Sequence, residues 1–137
     1  MINDKGVAMR TLVVDDDYVS RVKLKSLLLK YGDCDAVANG KMAIEMISLA
    51  HAEKVPYDLV TMDIEMPGMK GQEVIKQIRD FSGQLVAVKK LKILVVTVKT
   101  DLHNVSTSYY EGSDGYLVKP TTPVNLEDQL KKIGLIS

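Results

Sequence analysis

Short apolar runs and helical stripes alternate from one end of the chain to the other. Leu12-Val13-Val14 is a run with β-branched residues that stops at three acids, Asp15-Asp16-Asp17. Helical spacing follows, carrying Val22, Leu24, Leu27, Leu28 and Tyr31, with Gly32 placed to close the helix. Cys34 to Asn39 reads as a second strand, and Gly40 leads into a helix whose Ala43, Met46, Ile47 and Ala50 share a face. His51 to Pro56 reads as a loop. Leu59 to Met62 is a third strand that ends at Asp63, and Pro67-Gly68 turns the chain. Val74, Ile75, Ile78 and Phe81 mark a third helix, and Ile93 to Val96 is the most strand-like run of all. Leu102, Val105 and Tyr109 mark a fourth helix, Tyr116-Leu117-Val118 a fifth strand, and Leu126, Leu130 and Ile133 a last helix opened by Thr122-Pro123. Ser82 to Lys90 is open between an extension of the third helix, a loop and an early start of the fourth strand.

Five strand-then-helix units with short apolar strands predict an α/β fold: a parallel sheet, doubly wound, with helices on both faces. Right-handed crossovers put the C-terminal ends of all strands on one edge, and open sheets of this kind bind ligands there. Asp15 to Asp17, Asp63, Thr97 and Lys119 all fall at or just beyond predicted strand ends. They are therefore expected to face one shallow crevice.

Composition narrows the class. The chain has 137 residues, 46% of them hydrophobic and 26% charged, which suits one globular domain with a proper core. Lys and Arg number 18, Asp and Glu 18, so the charges balance and argue against a nucleic-acid surface. The single Cys34 excludes an internal disulfide and, with only two His, a typical structural zinc site; it reads as a small core residue. The most apolar stretch, Leu85 to Val98, is broken by Lys89, Lys90 and Lys92, so no membrane insertion is expected. No basic segment followed by an apolar one opens the chain, which points to a cytoplasmic protein.

Three carboxylates at one sheet edge repel one another. Two of them about 4 Å apart do so by roughly 4 kcal/mol at an effective dielectric of 20. Either one stays protonated or cations occupy the site. Mg²⁺ suits the hard oxygens of Asp15, Asp16 and Asp63, Lys119 adds a fixed positive charge, and Thr97 adds a hydroxyl. A carboxylate nucleophile with those neighbours suits phosphoryl transfer, in which the oxygens of the moving group need charge compensation. Asp63, alone at its strand end, fits the nucleophile better than the adjacent pair.

Leu12-Val13-Val14-Asp15-Asp16, then Asp58 through Met69 with Gly71, resemble the receiver domain of bacterial two-component response regulators. Ile93 to Thr97 and Gly115-Tyr116-Leu117-Val118-Lys119-Pro120 complete the pattern in order, over roughly residues 9 to 134. The resemblance implies a flavodoxin-like sheet of order 2-1-3-4-5, with residues 1–8 as an N-terminal extension and 9–137 as the receiver. It implies Asp63 as phosphoacceptor and Mg²⁺ held by Asp15, Asp16, Asp63 and the Glu65 backbone carbonyl. Thr97 and Tyr116 would be the switch pair, Lys119 the phosphate-contacting lysine, and the bond before Pro120 cis. The donor would be a sensor histidine kinase or a histidine phosphotransfer protein. The output would be an unspecified protein target on the fourth helix, fifth strand and last helix, with no output domain in this chain. Such a protein catalyses only its own phosphoryl transfer and autodephosphorylation.

The sequence departs from that pattern in places. Val98 stands where the family usually has Ala or Gly, and Lys99 and Glu65, if paired across the site mouth, would hinder a hydrolytic water; a long-lived aspartyl phosphate is the expectation. Lys70 replaces a frequent Asp, and Thr121 an apolar residue.

Other readings stay open on the residues alone. Asp15 to Asp17 can serve as helix caps, Asp17 above all. Thr97, Lys119 and Tyr116 can be ordinary strand-end, solvated and half-buried residues, and Tyr109 or Tyr110 can face a partner or plain solvent. Met42, Met46, Met62, Met66 and Met69 read as core and loop filling, and His51 and His103 carry no assigned chemistry. A second resemblance is to haloacid-dehalogenase-like phosphatases, whose Asp-x-Asp-x-Val/Thr motif Asp15 to Val19 matches, with Asp15 as nucleophile. That family's late acidic pair and cap insertion are missing. A third reading is a receiver-like scaffold that is never phosphorylated.

Overall fold

A computed structural model describes residues 8–64, 71–83, 91–98 and 112–137. The elements in chain order are β1 (Thr11–Val14), α1 (Tyr18–Leu28), β2 (Cys34–Val37), α2 (Gly40–Ala52), β3 (Leu59–Asp63), α3 (Gly71–Gly83), β4 (Lys92–Val98), β5 (Gly115–Lys119) and α4 (Pro123–Lys132). All strand pairs are parallel and the order is β2-β1-β3-β4-β5, as expected. The sheet is buried on both faces because the strands carry apolar side chains in both directions. Leu12, Val14, Val60, Met62, Ile93 and Val95 pack against Ala43 and Ile47 of α2 and Val74, Ile75 and Ile78 of α3. Val13, Leu59, Leu94, Val96 and Leu117 pack against Leu24 and Leu28 of α1 and Leu126 and Leu130 of α4.

Local chemistry sets the helix ends. Asp17, Asn39 and Thr122 are N-caps, each side chain accepting the amide three residues on, at 2.9, 2.9 and 3.1 Å. A 3₁₀ turn, Leu29–Tyr31, ends the first helical segment, and Gly32 follows at φ 143° with its backbone pressed on that of Met9. The helix α2 runs past His51, which was expected in a loop. It closes instead where Lys54, at φ 64°, returns its amide to the His51 carbonyl and Val55 returns its amide to Ala50.

Two apolar positions differ from expectation. Val22 is 45% exposed, because two residues before Leu24 it lies about 200° round the helix from the buried face. Met42 is exposed in the first turn of α2, whereas Met62 is core and Met46 half-buried. Cys34 is buried as expected, and burial pushes its thiol up to about 12. The predicted helix around Leu102, Val105 and Tyr109, with Tyr110 and His103, lies outside the described residues, as do the Phe81 side chain, Glu65, Met66, Pro67, Gly68, Met69, Lys70 and Lys99. Residues 84–90, within the ambiguous stretch, lie outside them too.

Candidate functional site

Strand register brings the acids together. Val14 pairs with Met62, so Asp15 and Asp63 leave adjacent strands at the same level, and strands are about 4.8 Å apart. Asp63 pairs with Val96, Thr97 with Val118 and Val98 with Lys119, which puts Thr97 and Lys119 just beyond the acids. By the alternation of the sheet, Lys119 emerges with Leu117 toward α1 and α4, and Thr97 with Val95 toward α2 and α3. The two residues flank Asp63 from opposite faces.

Asp15 is 2% exposed and Asp63 3%, whereas Asp16 is exposed. Carboxylate oxygens of Asp15, Asp16 and Asp63 lie within 4.8 Å of one another. The Lys119 ammonium joins the two buried acids, 3.2 Å from Asp15 Oδ2 and 3.4 Å from Asp63 Oδ2. Every polar group of Asp15 is engaged. Its amide donates to the Val37 carbonyl at 3.1 Å, its Oδ1 accepts the Asp17 amide at 2.9 Å, and its carbonyl accepts Arg21 Nη1 at 2.9 Å.

Electrostatics follow from this crowding. Burial pushes the Asp15 carboxyl above its ordinary range, and the neighbouring Asp63 charge adds to that, against the Asp17 amide and Lys119. Burial by itself would lower Lys119; Asp63 and Asp15 outweigh it and hold the ammonium above its usual value. Three carboxylates against one ammonium leave a net negative site lined by hard oxygens, a donor set that fits Mg²⁺. Asp17 stands apart: its carboxylate caps α1, and bonds from Ser20 lower its pKa. It is the N-cap of α1, a role its sequence position allowed.

Thr97 is buried and donates to the Val98 carbonyl at 3.3 Å. Tyr116 lies 37% exposed at the outer strand of the sheet. The Lys119-Pro120 bond is cis, and Thr121 is buried, forming with Leu24, Val96 and Val19 part of a cavity of about 350 Å³ that reaches Asp15 and Lys119. The structure thus unites Asp15, Asp16, Asp63 and Lys119, with Thr97 one step away; Glu65 falls outside the described residues. Sequence reading passed over Arg21, which grips the site from α1. Its only signal was a cation one helical turn beyond the capping acid, where a solvated residue is the ordinary expectation.

A doubly wound parallel sheet with an acidic, lysine-bridged cluster at its C-terminal edge defines an α/β domain with a candidate cation site. Residues 11–131 match the response regulator receiver domain family. Chemotaxis protein CheY-3 of Vibrio cholerae serotype O1 is 32% identical over 127 residues, covering 91% of each chain. The nitrate/nitrite response regulator protein NarL of Escherichia coli K12 is 33% identical, and the match covers 89% of this chain and 51% of that protein. The solved structure of chemotaxis protein CheY4 of Vibrio cholerae superposes with a TM-score of 0.73 at 27% identity, covering 93% of this chain and 99% of the other. The chain belongs to the response regulator receiver family, whose members take a phosphoryl group on an aspartate from a histidine kinase or phosphotransfer protein. Receivers are phosphoacceptor switches rather than turnover enzymes. Among the described residues no helix is long and apolar enough to cross a membrane.

Proposed function

We propose that Asp63 is the phosphoacceptor and that residues 9–137 form the receiver unit that responds to it. The observation that carries this is the Lys119 ammonium held between Asp63 and Asp15 at 3.4 and 3.2 Å, beside a third carboxylate. An Asp63 oxygen attacks phosphorus of the phosphohistidine; the P–O bond forms as the P–N bond breaks, and the electron pair leaves on the imidazole. Lys119 then compensates charge on the phosphoryl oxygens. Asp15 and Asp16, with Asp63 and the Glu65 carbonyl, would hold Mg²⁺, which when bound supplies further positive charge to those oxygens. Asp15 differs in accepting the Asp17 amide on Oδ1 while its Oδ2 pairs with Lys119, which suits it to a holding rather than an attacking role.

The new charge on Asp63, about −1.5 to −2, draws the Thr97 hydroxyl away from the Val98 carbonyl. Tyr116, now outward, turns into the space left behind, and a pre-existing equilibrium shifts. The surface of β5 and α4, where Tyr116 and Val124 are exposed, meets the downstream protein, in a cytoplasmic setting. Loss of the phosphoryl group is hydrolysis: water attacks phosphorus, the P–O bond to Asp63 breaks, and inorganic phosphate leaves the regenerated carboxylate. Val98, β-branched and half-buried beside the site, slows that water and gives a long-lived phosphate.

Acetyl phosphate with Mg²⁺, followed by intact-mass analysis and borohydride trapping, tests the assignment. One phosphoryl group on Asp63, none on Asp63→Asn, and faster phosphate release from Val98→Ala are expected. Label on Asp15 would favour the phosphatase-like alternative, and binding of neither Mg²⁺ nor beryllofluoride at millimolar concentration would favour an unphosphorylated scaffold.

A further inference from the structure

We infer that Arg21 is a positioning residue for the cation site, acting through the peptide that joins Asp15 to Asp16. The inference rests on reading Asp15, Asp16 and Asp63 as holding a divalent cation. Strand pairing ends at Val14, so the Asp15 carbonyl has left the sheet ladder. Its partner is instead Arg21 Nη1, at 2.9 Å, reaching back from the first turn of α1. The Arg21 amide is tied to the Asp17 carbonyl at 2.9 Å, so the guanidinium works from an anchored backbone.

That bond fixes the plane of the Asp15–Asp16 peptide. Asp15 is also held by its amide and by both carboxylate oxygens. Asp16 is exposed, and its place in the cluster depends on which way the preceding peptide faces. Without the guanidinium, only the Asp17 amide bond to Asp15 Oδ1 spans this peptide, and the carbonyl can turn toward water and carry Asp16 out of reach of the other two acids. Arg21 therefore sets the third ligand without touching the cation.

Electrostatics alone predicts the opposite sign. Removing a cation near three carboxylates strengthens the attraction for Mg²⁺. A weaker affinity in the variant is thus the signature of lost positioning. Partners that orient metal ligands change affinity about 10–100-fold when removed.

Calorimetric titration of the full chain with Mg²⁺ tests this. Arg21→Met, which keeps the unbranched stem, is expected to bind about tenfold more weakly than wild type. Arg21→Lys, which keeps one donor, should stay within about threefold. In an Asp16→Asn background, Arg21→Met should add less than about twofold, because its effect is routed through Asp16. Thermal melts without Mg²⁺ establish that each variant is folded at the titration temperature, and Arg21→Gln, too short to span the gap, replaces Arg21→Met if the latter is not. Affinity of Arg21→Met within twofold of wild type, or a full loss that persists beside Asp16→Asn, overturns the inference. Absence of Mg²⁺ binding by wild type would instead overturn the reading of the acids beneath it.

Discussion

Asp15 shows how one side chain carries opposing demands. Burial raises its carboxyl pKa above the value it has in the unfolded chain. The native state then binds more protons than the unfolded one. Asp15 therefore contributes stability that is complete below its ordinary carboxylate pKa and is lost as pH rises through the higher folded value. Asp15→Asn is expected to melt a few degrees above wild type at neutral pH without divalent cations, with the gap closing as pH falls toward 4. Saturating Mg²⁺ should reverse the order, since only wild type has the Asp15 carboxylate proposed to hold it; differential scanning at several pH values reads both effects. Thr61 makes a second case. Its hydroxyl is fully buried with no hydrogen-bond partner among the described residues, between Val13 and Leu94 across the sheet. Replacing it with the isosteric Val should stabilise the fold by about 1 kcal/mol in urea denaturation, with an unchanged slope.

At the scale of elements, closure and clamping matter more than propensity. Both α2 and α4 end with a left-handed residue: Lys54 at φ 64° in the first, Gly134 at φ 82° in the second. A side chain at such a position is strained by about 1 kcal/mol or more, while Gly is not. Lys54→Gly should therefore gain about 0.5 kcal/mol and Gly134→Ala lose about 1, measured by equilibrium denaturation. Arg79 on α3 clamps three further places. It donates to the Gly112 carbonyl at 2.8 Å, to the Leu91 carbonyl, and to Asp114 Oδ2 at 2.7 Å, while the same Asp114 oxygen accepts the Ile93 amide at 2.8 Å. The pair is mostly buried at the end of the sheet opposite the acids. Arg79→Met should cost about 2–4 kcal/mol by leaving the Asp114 charge short of a partner. Phosphorylation by acetyl phosphate should persist in whatever fraction stays folded.

For the whole molecule, the site is a property of the sheet rather than of any segment. Its acids come from the end of β1 and from β3 and its ammonium from β5, so a divalent cation would find these groups together only in the folded chain. Mg²⁺ at about a hundred times its dissociation constant should raise the unfolding free energy by about 2.7 kcal/mol. The same concentration should leave Asp15→Asn nearly unmoved. A wild-type melt indifferent to Mg²⁺ would remove the cation from this account.

Alternation of apolar runs and stripes by itself determined the class of fold, because strands buried on both faces must be apolar and each needs a helical cover. Strand-end position did the same for Asp15, Asp63 and Lys119: in a parallel sheet every such end reaches one edge. Sequence spacing misjudged Val22, since helical phase rather than apolar character decides burial. Only the tertiary structure decided that α2 continues past His51 to a left-handed Lys54, and that Arg21 and Arg79 find carbonyl partners rather than solvent. The reason is physical. Burial of apolar groups is imprinted as a period along the chain, whereas a guanidinium's partner is whatever carbonyl the folded backbone brings within about 3 Å.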